Sequence, residues 1–255
     1  MHDKKTLLEI QDRIAVVTLN APERRNAIDL EMVNALHADL TGLESVADLA
    51  AIVIVGAGDK AFAAGADIAQ LEKRTARDAA AAINSTLFKR IEDFPVPSIA
   101  AIRGFCLGGG CELAIACDLR VAGQSARLGQ PEVTLGIMPA AGGTYRLPRL
   151  IGLGRARELI YTGRILDAAE AERIGLVNRV VPDGEVLDAA LALAREIAHN
   201  GALAVRAAKA SINALARPNE SMAVTLESSL QAVLFDSADK HARMQAFLDK
   251  KNKKG

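Results

Sequence analysis

The first twenty residues alternate apolar and polar positions in two β-branched runs, TLLEI and RIAVVTLN, which the polar pair Gln11 and Asp12 separates. That pattern predicts a β-hairpin. From Asp29, a side chain suited to capping, Met32, Val33, Leu36, Leu40 and Leu43 fall on one helical stripe, with Glu31 in the first turn. LAAIVIVG (49–56) is a continuous apolar run ended by glycine and predicts a buried strand. After the loop GDKAFAAGADI the pattern is helical to about Asp93, with Thr75 and Asp78 at capping-box spacing. Pro95 and Pro97 stop that helix and launch the strand SIAAIRG (98–104). A triple glycine then opens the helix CELAIA, and DLRVAG reads as another strand.

From Leu147 onward the pattern is mostly helical: ARELIYTG, AAEAERIG, an Ala-rich run from Glu185 to His199, and the stretches 202–216, 221–234 and 238–250. Only LVNRVVP (176–182) interrupts it as a strand. Strand and helix units come first and helices last, which predicts an α/β core over residues 1–195 followed by a helical region over 196–255. At 255 residues the chain buries enough surface to need no covalent staple.

Composition narrows the function classes. Lys plus Arg equals Asp plus Glu at 31 each, so no global field draws in nucleic acid; only the tail KKNKKG is locally basic, as a solvated terminus is. Cys106, Cys111 and Cys117 lie in one short stretch without a histidine or CxxC spacing, which suggests buried thiols in a reducing compartment rather than a zinc site or disulfides. His2, His37, His199 and His241 are scattered, so no metal is expected. The N-terminus lacks an apolar leader and no run is long enough to span a membrane, which leaves a cytoplasmic protein as the expectation. GAGDKA (56–61) matches GxGxxA after a strand, but small-residue loop follows it where a dinucleotide site needs a helix and then an acidic residue.

The candidate chemistry lies in two loops and two carboxylates. AFAAGADI (61–68) and GFCLGGGCE (104–112) each follow an apolar strand and precede a helix, so their backbone N–H groups can approach a ligand closely. Side by side they would offer two donors to one oxyanion. Glu112 is the only charged residue between Arg103 and Asp118, and Glu132 stands between Pro131 and an apolar run. Two glutamates aimed at one apolar volume have their pKa values pushed up and apart, so that one gives a proton while the other takes one. The alternative is that Glu112 bonds free N–H groups at its own helix start while Glu132 is a surface residue.

IAAIRGFCLGGGCELAIACDLRVAG followed by GQPEVTLGIMPAAGGTYRL resembles the signature region of the crotonase superfamily, specifically its enoyl-CoA hydratases. PERRNAID, AFAAGADI, TGRILDAAEAERIGLVNRVVP and HARMQAFLDK extend the likeness over nearly the whole chain. The resemblance implies a spiral of repeated ββα units, a helical C-terminal region that builds homotrimers or hexamers, and an acyl-CoA thioester substrate. It implies hydration of a trans-2-enoyl-CoA to a 3-hydroxyacyl-CoA, with no metal, redox cofactor, nucleic acid or membrane involved. By matching positions, the N–H groups of Ala66 and Gly109 form the oxyanion hole, Glu132 exchanges the α-proton and Glu112 positions and deprotonates the attacking water. Ala64, Asp67 and Ile68 match the stretch that contacts CoA. Arg24 or Arg25, and Phe247 with Lys250 of this or a neighbouring subunit, are candidates for its nucleotide end. Ala140 and Ala141 stand where a glycine is common and Tyr145 where glutamine is frequent, departures that bear on the shape of the acyl pocket. The competing expectations are a Δ3,Δ2-enoyl-CoA isomerase, which can run on Glu132 alone, a hydratase of branched acyl groups, and a non-catalytic RNA-binding relative.

Overall fold

The computed structural model describes residues 4–65, 68–216 and 220–252. A six-stranded sheet runs in the order β1 (Thr6–Gln11), β2 (Ile14–Leu19), β3 (Ala51–Gly56), β5 (Ser98–Ile102), β7 (Leu119–Gly123), β10 (Arg179–Val181). Only the β1–β2 hairpin is antiparallel. Its turn falls one residue later than the polarity suggests. Gln11 still pairs with Ile14, and Asp12 and Arg13 make the turn with φ of 51° and 68°. Both central residues of a two-residue hairpin loop adopt positive φ because that twist matches the strands it joins.

β3 and β5 are buried along their full length, as strands covered on both faces must be. Alternation divides their side chains between two cores. Ile52, Ile54, Ala100 and Ile102 join the main core with the stripe of α1 (Leu30–Glu44), whereas Val53, Val55, Ile99 and Ala101 pack on Val186, Ala190 and Ala194 of α9 (Val186–Ala198). The five residues expected to face inward from α1 do so, and Asp29 caps the helix by accepting from Met32 N–H at 2.8 Å.

A second sheet, in the order β4 (Ala61–Ala63), β6 (Phe105–Leu107), β8 (Arg127–Gly129), β9 (Ile165–Asp167), was not expected from the pattern. Its strands have three residues each, too few for alternation to register. β9 also corrects the reading of the C-terminal part as broken by one strand alone. β3, β5 and β7 each run on into a short strand of the second sheet and then into helix, which is the repeated ββα unit of the spiral.

The helical stretch expected up to Asp93 is three helices, α2 (Ile68–Glu72), α3 (Ala76–Ala80) and α4 (Ile83–Asp93). The Thr75–Asp78 capping box is present, so it starts a new helix instead of continuing an old one. Tertiary contacts favour the break. Buried Lys240 of α12 (Ala238–Asn252) donates to the carbonyls of Glu72 at 2.8 Å and Arg74 at 3.2 Å, where a cation complements a helix end. Ala82 turns the chain into α4 with φ of 47°.

α5 (Gly109–Ala116) is buried between the sheets, α6 (Gly143–Ile151), α7 (Leu153–Thr162) and α8 (Ala168–Arg173) follow, and α10 (Ala202–Ala216) and α11 (Glu220–Phe235) precede α12. Lys209 docks α10 through Asp118 Oδ2 at 2.7 Å and the Val96 carbonyl at 3.0 Å. Among the described residues no helix is long and apolar enough to cross a membrane.

Candidate active site

The two small-residue loops meet at the start of α5. Gly65 has φ of +80°, and a Cβ built on it would stand 2.9 Å from the Leu107 carbonyl oxygen and 3.3 Å from the Gly109 nitrogen. A Cβ on Gly110 would stand 2.0 Å from the Ala63 carbonyl oxygen. Glycine is required at both points because backbone packs directly on backbone. Gly109 opens the helix, where first-turn N–H groups have no partner inside the helix.

The 61–65 loop is itself anchored. Ala64 N–H donates to the Arg25 carbonyl at 3.0 Å, and Ile28 N–H donates to the Gly65 carbonyl at 3.0 Å. Asn26, fully buried with φ of 54°, accepts from Ala21 N–H at 3.1 Å and donates to the carbonyls of Ala57 and Ala61 at 3.0 and 2.8 Å.

Glu112, 4% exposed, does not cap its own helix. Its Oε1 accepts from Ala141 N–H at 2.7 Å and Gly143 N–H at 2.9 Å, across the loop that enters α6. Burial raises its pKa above the usual carboxylate range, while the two N–H groups and the Arg146 cation pull the other way. Glu132 sits on the 3-10 turn Pro131–Leu135, and a Cβ on Gly108 would come within 3.2 Å of its Oε1. Although the residue as a whole is only part-buried, its carboxyl is pushed well above the usual range, first by burial and then by the charge of Glu112. The Gln130 amide, oriented by its hydrogen bonds, donates from nitrogen to the Glu132 oxygens at 2.9 and 3.2 Å. The site thus holds two carboxyls of unlike character. Glu112 is the one whose anion is hydrogen-bonded, and Glu132 is the one that keeps a proton more readily.

Gly109, Glu112 and Glu132 are therefore brought together. Ala66 and Asp67 lie outside the described residues. Ala64 is part-exposed beside Gly65 with its N–H engaged, so a backbone contact from it to a ligand would use its carbonyl. Ile68 packs in a small apolar cluster with Leu71, Leu135, Ile137, Phe235 and Met244, through which the C-terminal helices reach the turn that carries Glu132. Arg24 is tied to Asp29 Oδ2 at 2.7 Å, and Arg25 lies 5.5 Å over the Phe105 ring. Phe247, 44% exposed, and Lys250, also exposed, stand on α12. All three cysteines are buried. Among the described residues no group of three or more His, Cys, Asp or Glu is arranged to hold a metal ion. Gln130 was not singled out from the sequence, although it stands two residues before Glu132 in the quoted run GQPE.

The family model described as Enoyl-CoA hydratase/isomerase matches residues 9–254. The chain belongs to that family. Other members resemble it over their full length. It is 41% identical over 247 residues to the crotonyl-CoA hydratase of Syntrophomonas wolfei subsp. wolfei, covering 96% of this chain and 95% of that one. It is 38% identical over 257 residues to the short-chain-enoyl-CoA hydratase of Clostridium acetobutylicum, covering 100% and 98%. The crystal structure of an enoyl-CoA hydratase from Bacillus anthracis superposes with a TM-score of 0.80 at 39% identity, covering 96% of each chain. For this family member the crotonase-type spiral expected from the sequence is the observed architecture.

Proposed function

We propose that this protein is an enoyl-CoA hydratase that adds water across the double bond of a trans-2-enoyl-CoA to give the 3-hydroxyacyl-CoA. The observation that carries the reading is the placement of Glu112 and Glu132 in one buried site against the glycine-rich start of α5. The thioester oxygen accepts from Gly109 N–H, paired with that of Ala66, so that negative charge developing on the carbonyl is stabilised. Glu112, whose anion two backbone N–H groups hold, takes a proton from water as the oxygen bonds to the β-carbon. Glu132, the stronger proton holder, delivers a proton to the α-carbon, with Gln130 fixing its orientation. Atoms balance with one water consumed, and CoA is part of the substrate, so the step calls for no metal or redox cofactor.

The names of the two curated relatives point to short acyl groups as the first substrates to try. Exposed apolar side chains on the C-terminal helices, Leu203, Ile212 and Val233 among them, support self-association, which we read as a homotrimer or hexamer. The test is product analysis: crotonyl-CoA should gain one water as 3-hydroxybutyryl-CoA. 3-Butenoyl-CoA is run beside it; conversion of that ester alone, without hydration of crotonyl-CoA, would make the protein an isomerase instead.

A further inference from the structure

Glu112 depends on the N–H groups of Ala141 and Gly143, so whatever fixes the 140–143 loop fixes Glu112. α4 holds that loop at two points. Ser85, buried in its first turn, donates from Oγ to the Ala140 carbonyl at 2.8 Å. Two turns further along the same face, Glu92 receives Arg146 Nε at 3.0 Å and Nη2 at 2.7 Å. Arg146, 3% exposed, passes the constraint on, because its Nη1 donates to the Ala141 carbonyl at 3.0 Å. Its guanidinium packs against Gly142, which has φ of +112°: a Cβ there would stand 1.8 Å from Nη1, so that position favours glycine. The ring of Tyr145 packs 4.8 Å from the Arg146 guanidinium carbon. One residue, Ala141, therefore has its carbonyl in the hands of Arg146 while its N–H holds Glu112.

We infer that Arg146 and Glu92 are positioning residues for catalysis, a buried ion pair on α6 and α4 that holds the 141–143 backbone in the arrangement that orients and charges Glu112. The pair is more than a tie between two helices, since a planar fork bonded at once to a carboxylate and to the loop carbonyl fixes both distance and orientation. Lysine in its place would supply a charge without the fork. Besides Arg146, the ionisable groups around α5 are Glu132 on the adjoining turn, Cys111 on the helix and Cys117 just past its end, Cys106 on β6, and Arg120 on β7, which bonds the carbonyls at the far end of the helix. Neither Arg146 nor Glu92 touches reacting atoms, and their effect on turnover rests on the hydratase reading.

The experiment titrates Glu112 in the full-length protein by infrared spectroscopy, following the carboxyl band that Glu112→Gln removes, in wild type, Arg146→Gln and Glu92→Gln. Arg146→Gln removes the cation and leaves Glu92 unbalanced, so Glu112 should titrate at higher pH than in wild type. Glu92→Gln leaves the guanidinium unbalanced, so Glu112 should titrate at lower pH. A merely structural pair would move melting temperature without these opposite shifts. Turnover of crotonyl-CoA should fall on the order of 100-fold in Arg146→Gln with KM little changed, as expected when a reacting group is misplaced by an ångström. An unmoved Glu112 titration in folded variants overturns the inference; if Arg146→Gln does not fold, the isosteric Glu92→Gln decides alone. Shifted titrations in a protein that does not hydrate crotonyl-CoA would keep the positioning role and remove the hydratase reading.

Discussion

The carboxylate of Glu112 accepts a 2.7 Å hydrogen bond from the N–H of Ala141, 29 residues further along the chain. That bond explains how a helix as apolar as α5 tolerates a buried charge, since backbone donors replace the water the carboxylate gives up. It also makes the site a product of two ββα units, one carrying Glu112 and the next supplying both its hydrogen-bond partners and Glu132.

The pH dependence of activity should carry the signature of the raised carboxyls. Hydration as proposed needs Glu112 ionised and Glu132 protonated, and burial raises the pKa of both. kcat/KM should therefore fall on the acid side as Glu112 takes a proton, with a midpoint above the ordinary value of 4.5, and fall again on the alkaline side as Glu132 loses its own. A profile measured on crotonyl-CoA checks this; a plateau reaching down to the ordinary carboxylate range would contradict it. The two limbs belong to the pair rather than to either residue alone.

Glu132 should be a stability liability at neutral pH. Its folded-state pKa is raised, so the folded state binds the proton more tightly than the unfolded chain does. That contribution is fully present below the unfolded value and is lost as pH rises through the folded one. Glu132→Gln should accordingly melt a few degrees above wild type at pH 8 and show no advantage at pH 4, in thermal scans at matched protein concentration.

Gly110→Ala places a methyl carbon 2.0 Å from the Ala63 carbonyl oxygen and forces the two glycine-rich loops apart. The variant should lose turnover by about 100-fold or fail to accumulate as folded protein. Gly154→Ala, in α7 with nothing within 4 Å of the new carbon, is the matched control. It should keep wild-type activity and gain roughly 0.5 to 1 kcal/mol from helix propensity.

Asn26→Ala removes three hydrogen bonds, two of them buried, and places alanine at a φ of 54°. The loss should be roughly 3 kcal/mol, read as a lower denaturant midpoint with an unchanged slope. Because Asn26 ties the 21–26 turn to Ala57 and to Ala61 at the head of β4, activity should fall together with stability.

The main parallel sheet, the α1 stripe and the C-terminal helices were legible because each has enough residues for a period to show, and Asp29 and Thr75 mark helix starts by chemistry that acts within three residues. The second sheet was not, because strands of three residues leave no alternation to read and exist only as neighbours of one another. The segment from Ile68 to Asp93 is helical in composition throughout, yet Lys240 from the far end of the chain bonds the carbonyls that end α2. At the site, both glutamates and the glycine loops stood out as residue types in unusual surroundings. Glu92 and Arg146 did not, because each shows its role only once its partner, folded in from another unit, is beside it; Gln130 did not, because its amide meets Glu132 only through the turn that Pro131 begins.

The most direct measurement is the decay of the conjugated-thioester absorbance of crotonyl-CoA on adding purified protein, with Glu112→Gln and Glu132→Gln run in parallel and CoA-ester binding measured for all three. Rapid decay with wild type, slowed on the order of 1,000-fold or more in each variant while binding is retained, is the result predicted. Decay that either variant matches, or a wild type that binds the ester and leaves its double bond untouched, would contradict the account.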